Sequence, residues 1–286
     1  MKFIIGLLVV TASVIGGYIL SHGHLGVLFQ PYEFLIIFGA ATGAFVASNP
    51  GVVIKDVLGS IPSLLKGGKY NKQSYLDLLA LMYELFSKAR KEGLMALEND
   101  IEEPKESAIF NRYPKILADH HAVDFISDYL RLMVGGSMNS MELENLMDLE
   151  LETHHEEAHL PSHAVTAMAD GMPAFGIVAA VLGVVITMGS LNEPPEVLGK
   201  HIAAALVGTF LGILLAYGYV GPVGTFLGHV KREEAKFLQC IKVCIMATLN
   251  GYTPQVAVEF GRKALYSNVR PGFLELEEYV KNAGKS

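Results

Sequence analysis

The residues with the most evident chemical potential are His155-Glu156-Glu157-Ala158-His159, an H-E-x-x-H run. On a helix this spacing sets two imidazoles on one face to hold zinc, with the glutamate as general base. His163, one turn further on, could supply a third ligand. The surroundings argue against that chemistry. The run is acidic throughout, Pro161 should break the helix before His163, and no apolar substrate cleft is indicated. We read the run as a solvated helix face. His120-His121 and the His22/His24 pair are weaker still. Cys240 and Cys244, the only cysteines, are spaced one helical turn apart and read as reduced thiols on one helix face, since a reducing compartment disfavours disulfides. No basic cluster interleaved with aromatics is present, which argues against nucleic acid as a partner.

The distribution of charge is more informative than any motif. Only 18% of the 286 residues are charged, against about 25% in a typical soluble domain. Residues 3–32, 34–54, 171–192 and 201–230 contain no Asp, Glu, Lys or Arg. A helix needs about 20 apolar residues to cross a bilayer, and a charge at its centre costs roughly 2.5–3.5 kcal/mol. Four such windows predict four transmembrane helices, over about 3–21, 33–50, 172–190 and 201–222. The run from Phe3 to Leu20 is longer than a signal-peptide core and lacks a nearby small-x-small cleavage site, so it reads as a retained span.

Of the 22 Lys and Arg residues, Lys200 alone lies in the loops 22–32 and 191–200. The positive-inside rule therefore places both termini and the long middle segment in the cytoplasm. Glu33 stands at the mouth of the second span, and the second outer loop turns on Pro194 and Pro195. The expected organisation is all-α: transmembrane helices 1 and 2 in residues 1–50, a cytoplasmic helical domain in 51–171, transmembrane helices 3 and 4 in 172–222, and a cytoplasmic helical tail in 223–286. Apolar residues recur at helical spacing from Tyr75 to Ala89, Val123–Met133 repeats the pattern, and Met138–Leu160 is an acidic helix that Pro161 should end.

The predicted spans carry no ionisable residue near their centres. Ion pathways usually need one at depth, so the chain is either a conduit completed by a partner's carboxylate or a membrane scaffold. The third and fourth spans favour a partner. They contain Gly176, Gly183, Gly189, Gly208, Thr209, Gly212, Gly218 and Gly221, small residues that let helices approach closely. Pro173 and Pro222 near their cytoplasmic ends suggest hinges.

Three runs carry a family resemblance. They are Asp170-Gly171-Met172-Pro173-Ala174-Phe175-Gly176-Ile177-Val178; Gly208-Thr209-Phe210-Leu211-Gly212 through Tyr217-Gly218-Tyr219-Val220-Gly221-Pro222; and Arg90-Lys91-Glu92-Gly93-Leu94-Met95-Ala96-Leu97-Glu98. Together with the order of spans along the whole chain, they resemble the MotA family of flagellar stator subunits. The resemblance implies a multi-pass protein of the bacterial inner membrane with neither enzymatic activity nor a cofactor. It implies five copies around two chains of MotB, whose membrane aspartate carries the ion, and a cytoplasmic part that pushes on the rotor protein FliG. The matching rotor-facing residues are Arg90, Glu98 and, in a lesser role, Glu150. Pro173 and Pro222 match prolines that couple ion passage to movement, and Thr209 and Tyr217 would face the ion path. Sodium-driven relatives tend to have threonine where this chain has Ala180, which points to protons. The competing reading is an ExbB/TolQ-type energiser of an outer-membrane process, against which the additional N-terminal span and the Arg90–Glu98 segment argue.

Overall fold

The computed structural model describes residues 2–66 and 68–283. Helices account for the regular structure, with no strand among the described residues. In chain order they are α1 (Lys2–Leu20), α2 (Leu25–Leu28), α3 (Pro31–Ser48), α4 (Gly51–Lys66), α5 (Lys72–Glu92), α6 (Glu98–Glu102), α7 (Pro114–Leu117), α8 (His120–Gly135), α9 (Ser140–Gly189), α10 (Pro195–Ile213), α11 (Gly221–Leu249), α12 (Pro254–Ala264) and α13 (Phe273–Ala283). Four helical stretches, Lys2–Leu20, Leu25–Ser48, Ser140–Gly189 and Pro195–Leu249, are long and apolar enough to cross a membrane. The chain divides into two compact units, residues 1–67 with 158–231, and residues 68–157 with 232–286.

Two expectations need correction. Pro161 does not end a helix, because α9 continues through it, and through Pro173, to Gly189. An interior proline costs about 3 kcal/mol. Pro161 is buried, as are Ala164 and Val165 just beyond it, and this packing offsets the lost bond. The second outer turn is also shorter than expected. Pro195 opens α10 at its first turn, where the missing N–H costs nothing, so 196–200 are helical.

In the first unit, most of the apolar surface is not buried inside the chain. Ile5, Leu8, Val9, Leu35, Ile177, Val185, Ile186 and Leu206 are all exposed. A water-soluble monomer rarely presents so large a contiguous apolar face; lipid or other chains must cover it. What the unit does bury is a narrow seam. A Cβ built on Gly212 would lie 2.9 Å from both the Gly176 Cα and the Met172 carbonyl oxygen. One built on Gly176 would lie 3.0 Å from the Gly208 carbonyl oxygen, and one on Gly183 would lie 2.8 Å from the Ala205 Cβ. Helices α9 and α10 thus meet backbone to backbone. Where lipid removes the hydrophobic drive, such contact is what holds helices together. Ile37 and Ala41 of α3 close over it, with Met172, Ala179 and Ala216.

The second unit has an ordinary apolar core. Tyr75, Leu78, Leu79, Met82, Leu85 and Phe86 of α5 pack against Phe125, Ile126 and Leu130 of α8 and Phe237, Ile241 and Ile245 of α11. Asn71 starts α5 through a reciprocal capping box with Ser74. Gly93, at φ +91°, ends it; that backbone conformation is open to glycine and strained for other residues. Helix α12 presses Gly261 onto Cys240 and Cys244, both buried and free, and the Cys240 thiol donates to the Gly261 carbonyl at 3.5 Å.

Two substitutions test these contacts. Gly261→Ala drives a methyl into the Cys244 sulfur and the Leu79 side chain, and is expected to cost about 1–3 kcal/mol, read as a lower melting temperature. Gly212→Ala is expected to destabilise the detergent-solubilised protein on the same scale of about 1–3 kcal/mol. Gly189→Ala, whose added methyl meets nothing within 4 Å, is the control and is expected to melt like the parent.

Candidate functional site

The glycine seam in the first unit organises most of the residues singled out in the sequence. Gly208 faces Ala179 and the backbone nitrogen of Ala180, and Gly176 faces the Cα of Thr209. Ala180 and Thr209 therefore both lie along this seam, each beside a glycine of the facing helix. Tyr217 does not join them. It is 63% exposed, and eight residues of helix set it roughly 12 Å further along the axis.

Glu33 does join them, as its position at the mouth of a span did not foretell. Its carboxylate fills the space that a side chain at 208 would take, with Oε2 3.1 Å from a Cβ built on Gly208. The residue is 8% exposed, and Oε2 has no hydrogen-bond partner among the described residues. Buried polar atoms are almost always paired, so an unpaired carboxylate oxygen in an apolar seam is a site at which a proton or cation can be held. The sequence signal was present in the pattern Glu33, Ile37, Ala41, whose four-residue spacing lays the acid on the buried stripe of α3.

The two prolines mark a second level of the same unit. Pro173 cannot donate to Ala169, and Pro222 cannot donate to Gly218. Just before Pro222 the helix widens into a π-turn over Leu214–Val220, with the Gly221 N–H reaching back to the Ala216 carbonyl. A proline that deletes an ordinary helical bond is accommodated by this wider register, and π-turns concentrate at functional sites. The Ala169 Cβ lies 4.0 Å from a Cβ built on Gly221. Ala169, whose carbonyl Pro173 leaves without its helical donor, thus lies beside Gly221, the residue before Pro222. Nothing in the sequence pattern announced the π-turn. Nearby, Ser162 donates to the Gly224 carbonyl at 2.8 Å and the Thr11 hydroxyl pairs with that of Tyr219 at 2.8 Å, tying α9 and α1 to this helix.

In the second unit Arg90 occupies the last turn of α5 and Glu98 the first residue of α6. Both are exposed, and among the described residues neither side chain makes an ion pair or hydrogen bond. The turn of 3-10 helix Leu94–Leu97 joins their helices, anchored by the fully buried Leu97. Beneath them lies a network of buried charge. Lys88 pairs with Asp100 at 2.7 Å, Ser107 donates to Asp100 at 2.5 Å, and Glu84 holds Arg112 and accepts from the Tyr113 hydroxyl at 2.7 Å. Burial pushes the Glu84 carboxyl up, against the opposing pull of Tyr113 and Arg112. Glu150 is exposed and accepts the Tyr129 hydroxyl at 2.5 Å, which with burial raises that phenol above its ordinary range. Its placement is apart from Arg90 and Glu98, on α9 against α8.

The histidines and cysteines are differently placed. His155 and Glu156 are exposed on α9, the His154 ring meets His121 edge-on at 5.8 Å, and no cluster of three or more potential metal ligands occurs among the described residues. The Cys244 thiol is held well above its usual range by its hydrogen bond with Cys240 and by burial, which suits an inert core thiol.

Residues 4–93 match the family described as Motility protein A N-terminal, and residues 118–239 match the MotA/TolQ/ExbB proton channel family. Motility protein A of Salmonella typhimurium is 53% identical over 281 residues, covering 98% of this chain and 95% of that protein. The chemotaxis protein LafT of Vibrio parahaemolyticus is 37% identical, covering 98% of each chain. Among solved structures, C. jejuni MotAB superposes with a TM-score of 0.77 at 21% identity, over 93% of this chain and 96% of that one. The Bacillus subtilis flagellar MotAB stator complex superposes at 0.72 and 24% identity, over 90% and 92%. At those identities the two structures speak to the fold alone. The sequence relatives, matched end to end, carry more: the chain belongs to the motility protein A family, within the MotA/TolQ/ExbB proton channel family.

Proposed function

We propose that the chain is the flagellar motor stator subunit that works with MotB, turning ion flow into torque on the rotor. The observation that carries this reading is the end-to-end similarity to motility protein A at 53% identity. The family that contains it also includes TolQ and ExbB. An energiser of that type is the less favoured reading, because residues 4–93 match a family specific to motility protein A. No part of the reading calls for enzymatic catalysis.

The finer picture is as follows. The four apolar helical stretches cross the inner membrane, with residues 51–171 and 223–286 and both termini in the cytoplasm. Five copies surround two MotB chains, which would cover much of the apolar face the first unit leaves exposed. MotB brings an aspartate to the seam near Ala180 and Thr209, and Glu33 gives the chain a carboxyl of its own at one end of that path. Alanine at 180 suits protons. A charge falling through 100 mV releases about 2.3 kcal/mol. That free energy moves a two-state element only if protonation changes its contacts. The paired weak points at Pro173 and Pro222 are such an element, and α9 and α11 contribute residues to both units. Arg90 and Glu98 meet opposite charges on FliG, setting register more than affinity. Glu150, engaged with Tyr129, contributes less.

Two measurements test this in cells lacking the native subunit. Arg90→Glu is expected to reduce stall torque while membrane level and MotB-dependent assembly stay normal, and an opposite reversal on FliG should restore part of it. Normal torque after reversal of both Arg90 and Glu98 removes them from the rotor contact. Pro222→Ala, which returns an N–H and lets the π-turn relax to ordinary helix, is expected to slow swimming at unchanged membrane level. Full-speed swimming by that variant rules out the coupling role of the π-turn.

A further inference from the structure

The segment that carries Arg90 and Glu98 is closed at its base by an ion pair between a buried aspartate and a partly exposed lysine. Lys88 lies two residues before Arg90 and Asp100 two residues after Glu98. Lys88 Nζ and Asp100 Oδ2 are 2.7 Å apart, with Asp100 6% exposed. The other carboxylate oxygen takes the Ser107 hydroxyl, whose oxygen in turn accepts the backbone N–H groups of Ile109 and Phe110 at 3.2 and 3.3 Å. Asp100 is therefore saturated from both sides. Between the paired residues the chain makes a single compact excursion. The Gly93 N–H returns to the Ala89 carbonyl at 2.9 Å, the Ala96 N–H to the Gly93 carbonyl at 3.1 Å, and Leu97 is sealed in the core.

From this geometry we infer that Asp100, through Lys88, is a positioning residue for torque generation: the pair fixes the spacing at which Arg90 and Glu98 are offered to the rotor. The inference rests on the reading that these two charges meet the rotor. Its physical basis is stiffness. An arginine in the last turn of a helix sits where helices fray, and a force applied there is lost if the turn unwinds. Tying the previous turn to α6 by an ion pair whose carboxylate is buried restricts that freedom. Apolar packing could hold the two helices together as tightly; the directional pair adds a preference for one register of α6 against α5. The Glu84–Arg112 pair, one turn earlier on α5, repeats the device and braces the next loop.

The test uses the full chain with its native partners in motile cells. Asp100→Asn keeps the shape and the Ser107 contact but loses the charge. It is expected to remove about half of the stall torque at unchanged membrane level, and to remove nothing further in an Arg90→Ala/Glu98→Gln background, as residues acting through one another are non-additive. Lys88→Arg, which keeps the pair, should restore near-parental torque. Should Asp100→Asn fail to reach the membrane, Lys88→Gln, at a partly exposed position, is read in its place with the same expectation. Full torque in Asp100→Asn, or an equal fractional loss in the background lacking Arg90 and Glu98, overturns the positioning role. Full torque in the Arg90→Ala/Glu98→Gln variant alone overturns the rotor reading itself, and the positioning role with it.

Discussion

The approach of α9 to α10 is the constraint on which the first unit depends. Their backbones meet where Gly176, Gly208 and Gly212 have no side chains to hold them apart. In water, apolar burial would provide most of the drive for such packing. Among lipid tails it does not, and contact distance and dispersion take over. The same absence of side chains creates the space that Glu33 occupies. A β-carbon at 208 would crowd the carboxylate, and a larger residue at 176 or 212 would separate the helices that enclose it. Close packing and the capacity to hold an ion are thus one property of the seam.

The second unit solves a different problem. Its apolar core fixes α5, α8, α11 and α12 in the usual way, through side chains such as Phe86, Phe125 and Phe237. Its acidic residues divide into two groups. Glu84 and Asp100 are buried and each is satisfied by a cation and a hydroxyl. Glu98 is exposed and left available. A surface pair worth at most about 1 kcal/mol would stiffen little; the buried pairs are where removal of one partner leaves an uncompensated charge. Rigid mounting from below and free charge above is what the rotor contact proposed for Arg90 and Glu98 would require.

Much of the fold was legible because charge is costly in lipid. Each of the four windows free of Asp, Glu, Lys and Arg covers the apolar part of a different long helical stretch, and the helical spacing from Tyr75 to Ala89 falls in α5. What was not legible depends on neighbours rather than on local pattern. Pro161 reads as a helix end because local rules weigh the lost bond and not the burial that offsets it. Glu33 reads as a loop-edge acid because nothing local reveals that Gly208 faces it. The π-turn at Leu214–Val220 is a register choice that the backbone makes around Pro222, and its residues have no composition of their own. The Lys88–Asp100 pair spans a turn of 3-10 helix, so helical spacing could not connect the two residues.

The level at which Pro173 and Pro222 act argues for their joint role. A lone proline in a long helix weakens one bond and leaves a local kink. Here the carbonyl freed by Pro173 belongs to Ala169, and Ala169 packs at Gly221, beside the second proline and at the end of the widened turn. Each of the two helices therefore lacks a backbone bond close to this contact. A packed contact of that kind has discrete arrangements rather than a continuous range, because interiors are too dense to deform gradually. In the coupling proposed above, a change of charge at the glycine seam is answered at this pair of prolines, where both helices already lack a backbone bond.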